Sequence, residues 1–155
     1  MDGIVMFADD SNIHSMELFD EIQKVKWMGA MSVGILTHSG ISGDLLVPIQ
    51  GPDCSSSGKL SGWNTFSSLP NVGEGMKLEW AGFALNARLL WEDAEGKPDW
   101  VRSLDDVGMN GEEVESPLSL VKDASSVEPL GKCGNKVLLW WLRAEARTDT
   151  KFPAG

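Results

Sequence analysis

The chain opens on an apolar run, Ile4-Val5-Met6-Phe7-Ala8, that stops at two carboxylates, Asp9 and Asp10, with a helical pattern close behind. Residues 3–8 therefore read as a buried strand, expected to be parallel to its neighbours and to deliver acids at its carboxyl end, where open α/β sheets place ligands. Asp-Asp ahead of a helix also makes a turn or a cap, so these letters alone do not fix a site. Ser15 is placed to cap a helix running to about Trp27. Leu18, Phe19, Ile22 and Val25 lie on one face of it, Glu17, Asp20, Glu21 and Lys24 on the other, and Gly29 is expected to end it. Two short strands follow at 31–36 and 45–49, the second an edge strand because it holds Pro48.

Residues 51–75 are rich in Gly, Ser, Pro and Asn and read as a long loop, with Trp63 and Phe66 as anchors in it. Trp80, Phe83, Ala84, Ala87, Leu90 and Trp91 recur at the spacing of a buried helix face. Residues 92–114 are polar and acidic and read as loop. Ser116-Pro117 opens a further helix, with Glu115 one residue ahead of the cap and Leu118, Leu120 and Val121 inside it. The run at 137–142 is a strand by length, and it ends by delivering a cation, Arg143.

Composition narrows the class. The length of 155 residues suits one domain or a piece of a larger one. A formal net charge of -10 opposes polyphosphate partners, so no nucleic-acid partner is expected. No apolar stretch has the roughly 18–20 residues needed to span a bilayer. Seven Trp and no Tyr fit core packing, and also sugar platforms, since pyranose faces lie well on indole. Cys54 and Cys133 are too few for a disulfide framework or a zinc site; one bridge and two unpaired thiols both remain open.

Four pieces taken in order carry a resemblance. Phe7-Ala8-Asp9-Asp10 is followed by Met16-Glu17-Leu18-Phe19, then Glu79-Trp80-Ala81-Gly82-Phe83-Ala84-Leu85, then Glu115-Ser116-Pro117-Leu118-Ser119, and finally Val137-Leu138-Leu139-Trp140-Trp141-Leu142-Arg143-Ala144-Glu145. Together they resemble glycosyltransferase family 43, which includes animal β-1,3-glucuronyltransferases and plant irregular-xylem xylan glycosyltransferases. The stretch from Asp9 to Gln23 is most similar to the fourteen type of the plant branch. The resemblance implies an α/β, Rossmann-like GT-A fold. Residues 1–155 would form its C-terminal, acceptor-side and catalytic part, with the uridine-binding half and a membrane anchor upstream and the stretch inactive by itself. It further implies a single-pass type II protein of the Golgi membrane with a lumenal catalytic domain.

By the same resemblance, the reaction is an inverting transfer from a UDP-sugar, expected to be UDP-xylose, to a β-1,4-xylan acceptor in plant cell-wall glucuronoxylan synthesis. It would proceed beside other xylan-synthesising glycosyltransferases. Glu115 stands where the family keeps its general base, and a helix dipole there would favour the ionised form. Asp9, Asp10 and Ser11 stand at the ribose and metal region, with Asp10 as metal ligand. Arg143 and Trp141 stand at the diphosphate, and Glu79 and Trp63 at the acceptor. Glu79 is a longer acid where the family has an Asp, and two further positions depart from the family in ways that count against simple catalysis. Ser11 replaces the third acid, the chief Mn²⁺ ligand, and a hydroxyl is a poor substitute toward a hard cation. Trp141 replaces a His. These departures keep open a non-catalytic, structural subunit of a xylan synthase complex. A Trp-rich carbohydrate-binding module explains the aromatics but not the strand-end acids.

Overall fold

The computed structural model describes residues 3–37, 50–64, 78–91, 94–103, 106–107, 114 and 116–143. In chain order the elements are β1 (Ile4–Met6), β2 (Asn12–His14), α1 (Glu17–Ile22), β3 (Met28–Ala30), β4 (Val33–Thr37), β5 (Gly51–Cys54), β6 (Leu60–Asn64), β7 (Phe83–Asn86), β8 (Glu128–Pro129) and β9 (Leu139–Arg143). Short 3-10 turns cover Ala87–Leu90, Pro117–Leu120 and Ala124–Ser126.

The strands make two mixed sheets and a hairpin. One sheet has the order β1-β7-β3-β8, with β7 antiparallel to both β1 and β3, and β3 parallel to β8. The other has the order β2-β9-β4, where β9 runs antiparallel to β2 and parallel to β4. The hairpin pairs β5 with β6 and carries a bulge at Asp53/Cys54.

Several expectations are corrected by this topology. β1 does end at the two acids, but it is paired antiparallel to β7 and is half-buried, not a buried parallel strand. The helix expected to reach Trp27 is only Glu17–Ile22, and Gly29 lies inside β3 instead of ending it. A side chain at Gly29 would meet Val25 at 2.6 Å, so glycine lets the residues after α1 lie flat on β3. The spacing of Trp80 to Trp91 mimics a helix, yet residues 83–86 form β7 and only 87–90 coil, as a 3-10 turn. Phe83, Ala84 and Leu85 are all buried because β7 is covered on both faces, and such a run hides its period of two. The 51–75 loop contains the β5–β6 hairpin, and the helix expected after Ser116 is a four-residue 3-10 turn capped by the Ser116 hydroxyl. The strand expected at 45–49 lies outside the described residues.

Two apolar clusters hold the layers together. The first packs α1, through Leu18 and Ile22, against Val33 of β4 and Leu139 of β9. The second joins Met28 and Ala30 of β3 to Phe83 and Leu85 of β7 and to Leu120 and Val127. The hairpin is tied to the turn before β9 by a disulfide between Cys54 and Cys133, which settles the cysteine alternatives in favour of a bridge. That turn runs through left-handed backbone at Gly131, Lys132, Cys133 and Gly134 (φ 62°, 52°, 56° and 77°). For the two non-glycine residues this costs roughly 1–2 kcal/mol each, offset by bonds that pin the turn. Gly131 N–H donates to the Glu21 carboxylate at 3.1 Å, and the buried Ser32 hydroxyl donates to Gly134 O at 2.7 Å. Gly134 has no alternative, since a Cβ there would lie 2.3 Å from Pro52 O.

Candidate active site

The acid loop is built by its own side chains. Asp9 Oδ1 accepts both the Ser11 N–H (2.8 Å) and the Ser11 hydroxyl (2.5 Å), while Asp9 N–H donates to Asn12 Oδ1 (2.8 Å). The Asn12 N–H closes the turn on Asp9 O at 3.2 Å. This is an Asx-type turn locked from both ends. It holds Asp9 and Asp10 exposed at the tip.

The sheet then decides what lies beside that tip. In the β2–β9 ladder Asn12 faces Trp141, Ile13 faces Trp140 and His14 faces Leu139. The pairing extends past β2, because Leu142 N–H donates to Ser11 O at 2.8 Å. The acid loop is therefore stitched to the end of β9, and the Arg143 backbone follows the stitched residue directly, paired with Thr37 of β4. Trp141 is half-buried against the first cluster. The backbone of the strand-end acid loop and the carboxyl end of β9 thus lie side by side.

Glu79 is linked to the segment before the acid loop through its neighbour. Its neighbour Trp80 packs on Phe7, two residues before Asp9, with ring centroids 4.7 Å apart and planes inclined by 59°. Phe7, Trp63, Trp80 and Leu118 all border the second cluster, so the segments that carry the remaining candidates radiate from one apolar centre. Glu79 is exposed, and its backbone is held by Gln50, whose amide accepts the Glu79 N–H at 2.7 Å and donates to Glu79 O at 3.0 Å and Ala81 O at 3.2 Å. Trp63 sits in β6 with its indole stacked on Phe83, centroids 5.7 Å apart and planes at 25°, so one face of the ring serves the core. Glu115 lies outside the described residues. The element it precedes is the Pro117–Leu120 turn, too short to supply the helix dipole expected at that position.

Mn²⁺ finds a poor donor set here. A hard divalent cation wants several anionic oxygens. Among the described residues, no group of three or more His, Cys, Asp or Glu is placed to hold a metal ion. One oxygen of Asp9 is already engaged twice by Ser11, whose hydroxyl proton points at that carboxylate and not outward. The loop does not fit a carboxylate-built metal site.

Sequence reasoning missed Asn12 and Gln50. Asn12 was visible only as part of a turn-rich tetrad. Gln50 carried no signal at all, being a lone amide between an apolar run and a glycine.

A mixed α/β chain whose exposed acid loop is stitched to the end of a Trp-rich strand is compatible with a GT-A-like fold. The family model for Glycosyltransferase family 43 matches residues 1–145. Similar proteins include "Probable beta-1,4-xylosyltransferase IRX14" of Oryza sativa subsp. japonica, 58% identical over 100% of this chain and 34% of its own length. "Beta-1,4-xylosyltransferase IRX14" of Arabidopsis thaliana is 53% identical over 100% of this chain and 35% of its length. More distant is "Galactosylgalactosylxylosylprotein 3-beta-glucuronosyltransferase 1" of Rattus norvegicus, 28% identical over 92% of this chain and 38% of its length. The chain belongs to glycosyltransferase family 43. It spans about a third of the length of the curated relatives it matches.

Proposed function

We propose that this chain forms the acceptor-side and catalytic part of an inverting glycosyltransferase that extends β-1,4-xylan from a UDP-sugar, with UDP-xylose as donor. The observation that carries the proposal is the bond from Leu142 N–H to Ser11 O, which sets the acid loop beside the carboxyl end of β9. Family membership and the xylosyltransferase names of the plant relatives support the choice of substrate.

In this reading Asp9 and Asp10 face the ribose and diphosphate region, and Arg143, at the end of β9, takes up charge that grows on the leaving diphosphate. Glu115 removes the proton of the attacking acceptor hydroxyl while UDP departs from the opposite face of the sugar. Glu79 hydrogen-bonds the acceptor sugar. Mn²⁺ takes no part in these steps, because the loop's donor set does not suit it. The Cys54–Cys133 bridge supports an oxidising compartment such as the Golgi lumen. Among the described residues, no helix is long and apolar enough to cross a membrane.

The test is xylan elongation by the full-length protein with UDP-xylose and a xylo-oligosaccharide, comparing the native protein with Glu115→Gln. Loss of elongation, with association to other xylan-synthesising glycosyltransferases unchanged, supports the enzyme. Full elongation by that variant, together with absent UDP binding, selects the second reading, a structural subunit of a xylan synthase complex. The engagement of Ser11 by Asp9 is the observation that keeps that reading in play.

A further inference from the structure

We infer that Gln50 is the positioning residue for the Glu79 carboxylate, and hence sets the affinity for the acceptor sugar without touching it. The inference rests on the reading of Glu79 as an acceptor contact and goes one step behind it. Gln50 is 2% exposed, one of two buried polar side chains among the described residues, so it cannot be a surface contact for a sugar. A buried amide must use its donors and acceptor or incur the desolvation cost. Here all of them converge on one target. The oxygen accepts from Glu79 N–H, and the two amide hydrogens go to Glu79 O and Ala81 O.

The backbone of Gln50 is equally fixed. It exchanges both hydrogen bonds with Val33, at 2.7 and 3.3 Å, and Val33 belongs to β4 next to β9. Gln50 thus ties the 79–81 segment to the sheet whose central strand ends at Arg143. On its far side the same segment is held by Trp80 against Phe7. The Glu79 main chain has donor and acceptor both occupied, while among the described residues no hydrogen bond or ion pair engages its exposed carboxylate. A side chain whose backbone is clamped on both polar groups and whose head is unengaged is preorganised for a ligand. The chemical class it suits is a neutral polyhydroxyl, since a single carboxylate accepts bonds from sugar hydroxyls and repels anions.

The experiment uses the full-length protein and measures KM for acceptor and for UDP-sugar separately, with thermal unfolding in parallel. Glu79→Gln is expected to raise acceptor KM about tenfold, leaving kcat and donor KM within about twofold. Gln50→Leu, which keeps the volume and removes the amide, is expected to raise acceptor KM by a comparable factor, with donor KM unchanged and the Glu79 amide losing protection from hydrogen exchange. Added to Glu79→Gln, it is expected to raise acceptor KM no further. If Gln50→Leu does not fold, Gln50→Asn, one methylene short, carries the same test with a smaller rise. An acceptor KM unchanged by the Gln50 variants while Glu79→Gln raises it overturns the positioning role alone. So does a multiplicative double variant, or an equal rise in donor and acceptor KM. An acceptor KM untouched by Glu79→Gln overturns the acceptor assignment, and the positioning role with it.

Discussion

Replacing Glu128 tests how the sheet beneath the site is held. The Glu128 carboxylate accepts three successive backbone N–H groups, Lys26 (2.9 and 3.2 Å), Trp27 (2.8 Å) and Met28 (3.2 Å), at the point where the chain enters β3. β3 pairs with β7, and β7 carries β1 and its acid loop, so this nest anchors the sheet that presents the site. In Glu128→Ala the Lys26 N–H turns to water, being exposed, but the Trp27 and Met28 donors are part-buried and lose their partner. At about 1–3 kcal/mol for each buried unsatisfied donor, discounted for partial exposure, the expected loss is about 2–4 kcal/mol. For a chain of this size that corresponds to a fall in Tm of about 10 °C. Glu128→Gln keeps one acceptor oxygen and is expected to lose about half as much. Thermal and urea unfolding followed by circular dichroism, at neutral pH with the disulfide intact, measures both. A loss under about 0.5 kcal/mol in Glu128→Ala, or an equal loss in both variants, refutes the reasoning.

Three other contacts carry predictions of their own. The hydrogen bond from Lys24, opposed by burial and aided by the Gly131 N–H, holds the Glu21 carboxyl below its ordinary value of 4.5, so Glu21 favours the folded state above that value. This stabilisation declines as pH falls through the lowered folded value, and Glu21→Gln is expected to flatten that part of the stability–pH curve; an unchanged acid limb sinks the assignment. Reducing the Cys54–Cys133 bridge, which closes a separation of 79 residues, is expected to cost about 4.5 kcal/mol on the loop-entropy model, and unfolding that is insensitive to reductant contradicts it. Ser11→Asp removes the hydroxyl that occupies Asp9 and adds a carboxylate, so calorimetric UDP titration is predicted to gain Mn²⁺ dependence in the variant. Strong Mn²⁺ dependence in the native protein would show that the loop is a metal site after all.

The strand-end acids, the last strand and the Ser116 cap were legible in the letters, and the reason is local. Asp9 and Asp10 sit at a strand end because an apolar run must stop where the chain leaves the sheet, and β9 was visible because six apolar residues in a row, 137–142, have few other uses. Ser116 was recognised as a cap because capping depends on adjacent residues only. Long-range facts were not legible. The helical spacing of Trp80 to Trp91 came from a strand buried on both faces followed by a 3-10 turn, a coincidence that only tertiary covering explains. The antiparallel partner of β1 lies about 80 residues away in sequence, and nothing near Val5 announces it. The β5–β6 hairpin was hidden because its residues, Gly51-Pro52-Asp53-Cys54 and Leu60-Ser61-Gly62-Trp63-Asn64, have loop composition and are stabilised by the distant Cys133 and Phe83. Gln50 and Glu128 act across separations of 29 and about 100 residues, beyond any local pattern.

The proposed function requires that the acid loop and the end of β9 form two sides of one donor site. A crystal structure of the full-length protein with UDP bound tests it most directly. The diphosphate is predicted to lie between residues 9–11 and 141–143, with Glu79 facing the vacant acceptor side. A diphosphate bound away from both segments would contradict the claim.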